Sequence, residues 1–200
     1  MFKAYYNLPL SRPFRLVLGL AIILVAIALV VIGYIYFAKR SDTALYPLLA
    51  ACGTVIVATV VGTVGAGIAH RNAVRQNTST ILFARFAQTA FTDSLHRFHG
   101  VFGYDPKNTI TREMIAAARA SGDEARTRGA DAVVYVLNYY EYLAAGVLCG
   151  DLDYDVIVRN MRGIIIYYYE MCEPFIRQHR QANPKAFENI TKLRTHFREP

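Results

Sequence analysis

The sequence predicts an all-α protein: a two-helix transmembrane hairpin followed by a cytoplasmic helical bundle of about five or six helices. Three observations lead there. Two long runs without a charged residue lie within the first seventy positions. Beyond them, apolar residues return every three or four positions instead of alternating, the period of a helix face rather than a strand. Glycines, prolines and short polar residues break that pattern where helices should start and stop.

Leu16–Phe37 is 22 residues long and uncharged. Crossing the hydrocarbon core takes roughly 20 apolar residues at about 1.5 Å each, so this run suffices. The apolar stretch of a cleaved signal peptide is shorter, about 7–15 residues, and ends in a small-x-small site. Here the run leads instead into Lys39 and Arg40. Ala44–Ala69 is a second uncharged run, of 26 residues, and the short connector forces an antiparallel hairpin. Lys3, Arg12 and Arg15 precede the first span and Arg71 and Arg75 follow the second, against Lys39 and Arg40 in the connector. The positive-inside bias then puts both termini in the cytoplasm. The expected parts are a cytoplasmic N-terminal segment (1–15), the hairpin (16–70, with spans about 16–37 and 44–69) and a cytoplasmic helical domain (71–200), in a bacterial inner membrane.

Ala50, Thr54, Ala58, Gly62 and Ala66 recur every four residues, and Gly19, Ala26 and Gly33 form a matching small series on the first span. Small residues let helix backbones approach closely in lipid. The first expectation is that the two spans pack on each other through them; the other reading is a homo-oligomer through the second span. With no charge inside either span, a pore is not expected.

The formal charge is +7, from 22 basic and 15 acidic residues, and residues 1–70 carry five bases against Asp42 alone. More than half of the excess therefore flanks the spans, where it reports topology, and no nucleic-acid partner is expected. The 14 tyrosines neighbour as many acids as bases, whereas a base-stacking platform sits beside a basic groove. Cys52, Cys149 and Cys172 are isolated, which argues against a disulfide framework or a structural zinc site. No cofactor is implied.

From Arg71 the second span is expected to run on as a stalk, with Ile81, Leu82, Phe86, Ala90, Phe91, Leu95, Phe98 and Phe102 on one apolar face and a bend near Gln88–Thr89. Gly100, Gly103, Asp105 and Pro106 give a turn. Thr111 reads as the N-cap of a short helix with Glu113 in its first turn, ending at Ser121-Gly122. Ser121–Gly129 reads as loop, at least in part. The next helix, Ala130–Cys149, closes on Gly150, which is free of the Cβ penalty at positive φ. Asp151-Leu-Asp153-Tyr-Asp155 imitates a calcium loop, but position 6 is Val156 and position 12 is Arg162, so these acids read as caps of the following helix. That helix, about Tyr154 to Arg180, should kink one turn before Pro174. Asn183-Pro184 reads as N-cap and N1 of a last helix docking through Phe187, Ile190, Leu193 and Phe197.

Asn138 and Glu141 are the candidates for chemistry. They share a helix face, and the next helix offers Arg159 and Arg162. A buried carboxylate has to be paired or protonated, so the leading expectation is a structural polar hub of Asn138, Glu141, Arg159 and Arg162. The catalytic alternative makes Glu141 a general acid/base, with Asn138, in a tyrosine-lined pocket. His96 and His99 lie near Asp93 without a third ligand close in sequence, and no metal is expected. No P-loop, nucleophile elbow or H-E-x-x-H is present, and the glycines at 62, 65 and 67 lie inside a span rather than at a strand-to-helix turn.

Leu137-Asn138-Tyr139-Tyr140-Glu141, then Gly150-Asp-Leu-Asp153, Pro174-Phe-Ile-Arg177 and Asn183-Pro184-Lys-Ala-Phe187 form an ordered set over about residues 72–197. In this the chain resembles a bacterial domain-of-unknown-function family with an N-terminal membrane segment and an L-N-[FY]-[FY]-E helix. Tyr169 stands where a tryptophan would be expected nearby. The resemblance implies an architecture and no reaction. The expected function is a membrane-tethered, non-enzymatic interaction or scaffolding protein, with the lipid bilayer and an unidentified protein as partners. The alternatives are a membrane-associated enzyme using Glu141 and a membrane effector of a phage-conflict or toxin system.

Overall fold

The computed structural model describes residues 12–37 and 45–198. Among them every regular element is helical: α1 (Arg12–Phe37), α2 (Leu45–Ala87), α3 (Thr89–Phe102), α4 (Arg112–Ala120), α5 (Glu124–Cys149), α6 (Tyr154–Ala182) and α7 (Glu188–Arg198). Two compact units result, one over Leu10–Ala73 and one holding Val74–Pro200.

The first unit contains α1 and the opening part of α2. The α2 stretch Ala50–Arg85 is long and apolar enough to cross a membrane, and none of its most apolar window is buried. Large apolar side chains point outward on both helices, with Val30 on α1 71% exposed and Val61 on α2 65% exposed. The threonines fold their hydroxyls back onto their own helix: Thr54 Oγ1 donates to the Ala50 carbonyl (2.9 Å) and Thr63 Oγ1 to the Thr59 carbonyl (2.6 Å). That satisfies them without water. α5 also has the length and hydropathy of a span, but it spends its apolar residues on the core of the second unit.

The small-residue series of α2 lies open in this unit. Ala50, Thr54, Ala58, Gly62 and Ala66 are all exposed, as is Ala26. A Cβ built on Gly19, Gly33 or Gly62 would find nothing within 4 Å. The less exposed face of α2 carries Ile56, Thr59, Thr63 and Gly67 instead. A four-residue step overshoots one turn by about 40°, so the series winds slowly round α2 as it climbs.

In the second unit α5 is the central rod. It packs on α3, α4, α6 and α7 and buries Val133, Val136, Leu137, Tyr140, Leu143, Ala144 and Val147 among others. It starts earlier than its apolar pattern, because Asp123 caps it by accepting the Ala125 amide (2.8 Å). Most of the stretch read as loop is thus its polar first turns. Gly129 marks the crossing with α3: a Cβ there would lie 3.0 Å from the Arg97 carbonyl and closer still to the Val101 side chain. Gly150 ends the helix at φ 81°, as expected from the sequence.

The remaining helix ends follow local chemistry in part. The bend falls at Gln88, which is extended. Thr111 caps α4 by accepting from the Met114 amide (3.3 Å) and Asp153 caps α6 by accepting from the Val156 amide (3.0 Å). Asn183 does not start the last helix. It ends α6, and a turn over 184–187 intervenes before α7. Around Pro174, α6 continues, but its ladder is opened by another segment. The Ile110 amide donates to the Met171 carbonyl (2.7 Å) and the Phe175 amide donates to the Ile110 carbonyl (3.1 Å). Pro174 has no amide and its ring crowds the carbonyl one turn back; the fully buried Ile110 fills the gap.

Substituting Gly129→Ala is expected to destabilise the bundle by about 1–3 kcal/mol through overpacking. Gly163→Ala on α6, where a Cβ meets nothing within 4 Å, should stabilise by up to about 1 kcal/mol from helix propensity. Unfolding of the full-length chain followed by circular dichroism separates the two; equal effects of one sign would refute the crossing.

Candidate functional site

Glu141 projects from α5 to the amino end of α7. Its Oε1 accepts the Asn189 amide (3.0 Å) and Asn189 Nδ2 (2.8 Å), and its Oε2 accepts the Ile190 amide (2.8 Å). At the other end of the same helix, Arg162 Nη2 donates to the Phe197 carbonyl (2.6 Å). A carboxylate therefore sits where a helix dipole is positive and a guanidinium where it is negative. The residue before α7, Phe187, is at φ 52°, an unusual backbone for a bulky side chain. Burial between Phe175 and His179 holds it there.

This differs from the expected hub. Glu141 and Arg162 do not meet as an ion pair; each holds one end of α7. Asn138 and Arg159 are exposed. Sequence spacing puts Glu141 and Arg162 on neighbouring helices but cannot say that a third helix lies between their ends.

A second cluster lies inside the bundle. Arg85, at the end of α2, is only 7% exposed. Its Nη2 donates to Tyr140 Oη (3.2 Å), its Nη1 donates to Met161 Sδ (3.0 Å), and its guanidinium lies 4.8 Å from the centre of the Phe91 ring. Tyr140 stacks on Tyr168 with ring centres 5.4 Å apart. Tyr168 Oη lies 2.8 Å from His99 Nε2, and His99 Nδ1 lies 2.8 Å from the Gly103 carbonyl. A carbonyl can only accept, so Nδ1 carries a proton; in the neutral ring Nε2 then accepts from Tyr168. The His99 ring stacks 4.1 Å from Tyr104, which is largely exposed. Arg85, Tyr140, Tyr168 and His99 thus form a continuous polar and aromatic chain through the core, ending at the surface on Tyr104.

Burial pushes the Tyr140 phenol well above the usual tyrosine range, with Arg85 opposing. Burial, then neighbouring Tyr167, pushes Tyr168 up to about 12. Both phenols stay protonated at neutral pH. Burial likewise raises the Cys172 thiol, which removes its thiolate and its nucleophilicity. Both ring nitrogens of His99 are engaged, while His96 is exposed.

Arg85 was absent from the sequence-based candidates, and His99 was weighed there only as a metal ligand. The available signal was register: Arg85 follows Ile81 and Leu82 on the stalk's apolar face, and His99 sits between Phe98 and Phe102. A charged residue at an apolar position announces a buried partner.

The Asp151–Asp155 stretch joins α2 to the α5–α6 turn. Asp153 Oδ2 accepts from Arg75 Nε (3.1 Å), and the Asp153 amide donates to Thr78 Oγ1 (2.8 Å). With Leu82 and Arg85, these residues dock one side of α2 along α5 and α6.

Across residues 48–197 the chain matches the family model described as "Domain of unknown function (DUF4760)". That is three quarters of its length, and the chain belongs to this family. No curated protein and no solved structure matches it.

Glu141→Gln is expected to cost about 1–3 kcal/mol, since an amide replaces one acceptor oxygen by a donor facing donors. Hydrogen exchange at Asn189 and Ile190 should rise first; unchanged protection there would refute the cap. For Tyr168 the raised folded value means its contribution is complete below about pH 10. It is lost as pH rises toward about 12. Denaturation midpoints should be flat between pH 7 and 9 and fall above 10, less steeply in Tyr168→Phe.

Proposed function

We propose that this protein is a membrane-tethered, non-enzymatic interaction or scaffolding module of the bacterial inner membrane, with α1 and α2 as its anchor and both termini cytoplasmic. The observation that carries the tether is the α2 surface: a long apolar helix with none of its most apolar window buried. Water would not tolerate such a surface, and lipid would. The exposed Ala50–Ala66 series leaves the second span free to meet a second copy of itself.

The interaction reading rests on how the polar groups of the bundle are used. Three N–H groups of α7 occupy both Glu141 oxygens, and a general base needs a lone pair aimed at a substrate proton. The buried phenols and the Cys172 thiol are held protonated. An enzyme working through Glu141 would first have to release α7.

Alkaline extraction of membranes should leave the chain in the pellet. A C-terminal fluorescent reporter should be active, and a C-terminal reporter active only in the periplasm silent. Chemical crosslinking in native membranes should trap a dimer or a heterologous protein. Recovery of monomer alone would overturn the interaction reading, and release by alkali would overturn the anchor.

A further inference from the structure

A trough of about 690 Å³ lies between α4 and the carboxy-terminal half of α6, with Val134 of α5 in its lining. Arg112 and Arg119 line it from α4 and His179 from α6, over an apolar floor that includes Phe175 and Phe187. No carboxylate lines it. Arg119 is tied to Asp131 (2.8 Å), and the other basic groups in the lining are Arg112 and His179. Size and lining match small-molecule sites, which are mostly apolar with a few placed polar groups.

The walls are fixed before any ligand arrives. Gln178, next to His179, accepts the Arg112 amide (3.0 Å) and donates to Glu113 Oε1 (3.1 Å), so α4 is tied to α6 at this end. The Ile110 peptide ties the start of α4 to α6 at Phe175. A site whose walls are already tied loses little ordering entropy on binding.

We propose that this trough binds an organic anion with an apolar body. Its carboxylate or phosphate is held by Arg112 and His179, and its body lies against Val134, Phe175 and Phe187. A guanidinium gives charge-assisted, bidentate bonds to either headgroup, and the apolar floor excludes a fully hydrated ion such as inorganic phosphate. The proposal is independent of the tether and of any protein partner.

The test uses the full-length chain in nonionic detergent with histidine labelled at Cε1, the His179 resonance being assigned by its loss in His179→Gln. 4-Phenylbutyrate and 4-phenylbutyl phosphate should each move that resonance saturably, and 4-phenylbutanol should not. Arg112→Gln should weaken the response about tenfold with an unchanged melting temperature. A stronger phosphate or carboxylate response assigns the headgroup within the proposal. In nanodiscs, a shift on replacing zwitterionic by anionic lipid assigns the ligand to the bilayer, and a shift only on adding the soluble anion assigns it to the cytosol. Equal response to the alcohol, no response to any probe, or indifference to Arg112→Gln overturns it.

Discussion

A helix of eleven residues is marginal in isolation, because nucleation consumes most of what so few hydrogen bonds return. α7 is such a helix, and the Asn-Pro pair before it is used up in ending α6. Its leading amides reach instead to Glu141 on the central rod, and Arg162 on α6 takes its last turn. Once both ends are held, Phe187, Ile190, Leu193 and Phe197 fall into the core together. The lid over the α5–α6 interface is therefore placed by electrostatics at its ends and stabilised by apolar burial along its length.

The same division of labour recurs at the α5–α6 turn. Asp153 caps α6, receives Arg75 and fixes Thr78. A single carboxylate thus sets where one helix begins and where another docks. Further along, Arg85 is buried against rings and a thioether. A guanidinium is suited to such a place because it is weakly hydrated and stacks on aromatic faces. Polar groups in this bundle specify position, and apolar ones supply most of the stabilisation.

Features that a few neighbouring residues decide were legible in the sequence. Gly150 needs positive φ, Thr111 and Asp153 carry capping oxygens, Gln88 interrupts a long helix, and the α7 stripe has helical spacing. What failed depended on distance along the chain. Glu141 finds amides 48 and 49 residues away. Ile110 enters a helix that begins more than forty positions later. The early start of α5 was missed because its first turns are polar, and periodicity reports only the buried face. Of the candidate site, the identity of Glu141 was legible and its partners were not.

Pro174 makes α6 a spliced rod, and the splint comes from the loop between α3 and α4. Surface loops ordinarily absorb insertions and deletions at little cost. This one cannot, because its length decides whether the Ile110 peptide arrives opposite Met171 and Phe175. Among the connections of the bundle it is the one where a single added or lost residue would be felt in the middle of a helix, so length variation between related chains should be scarce there.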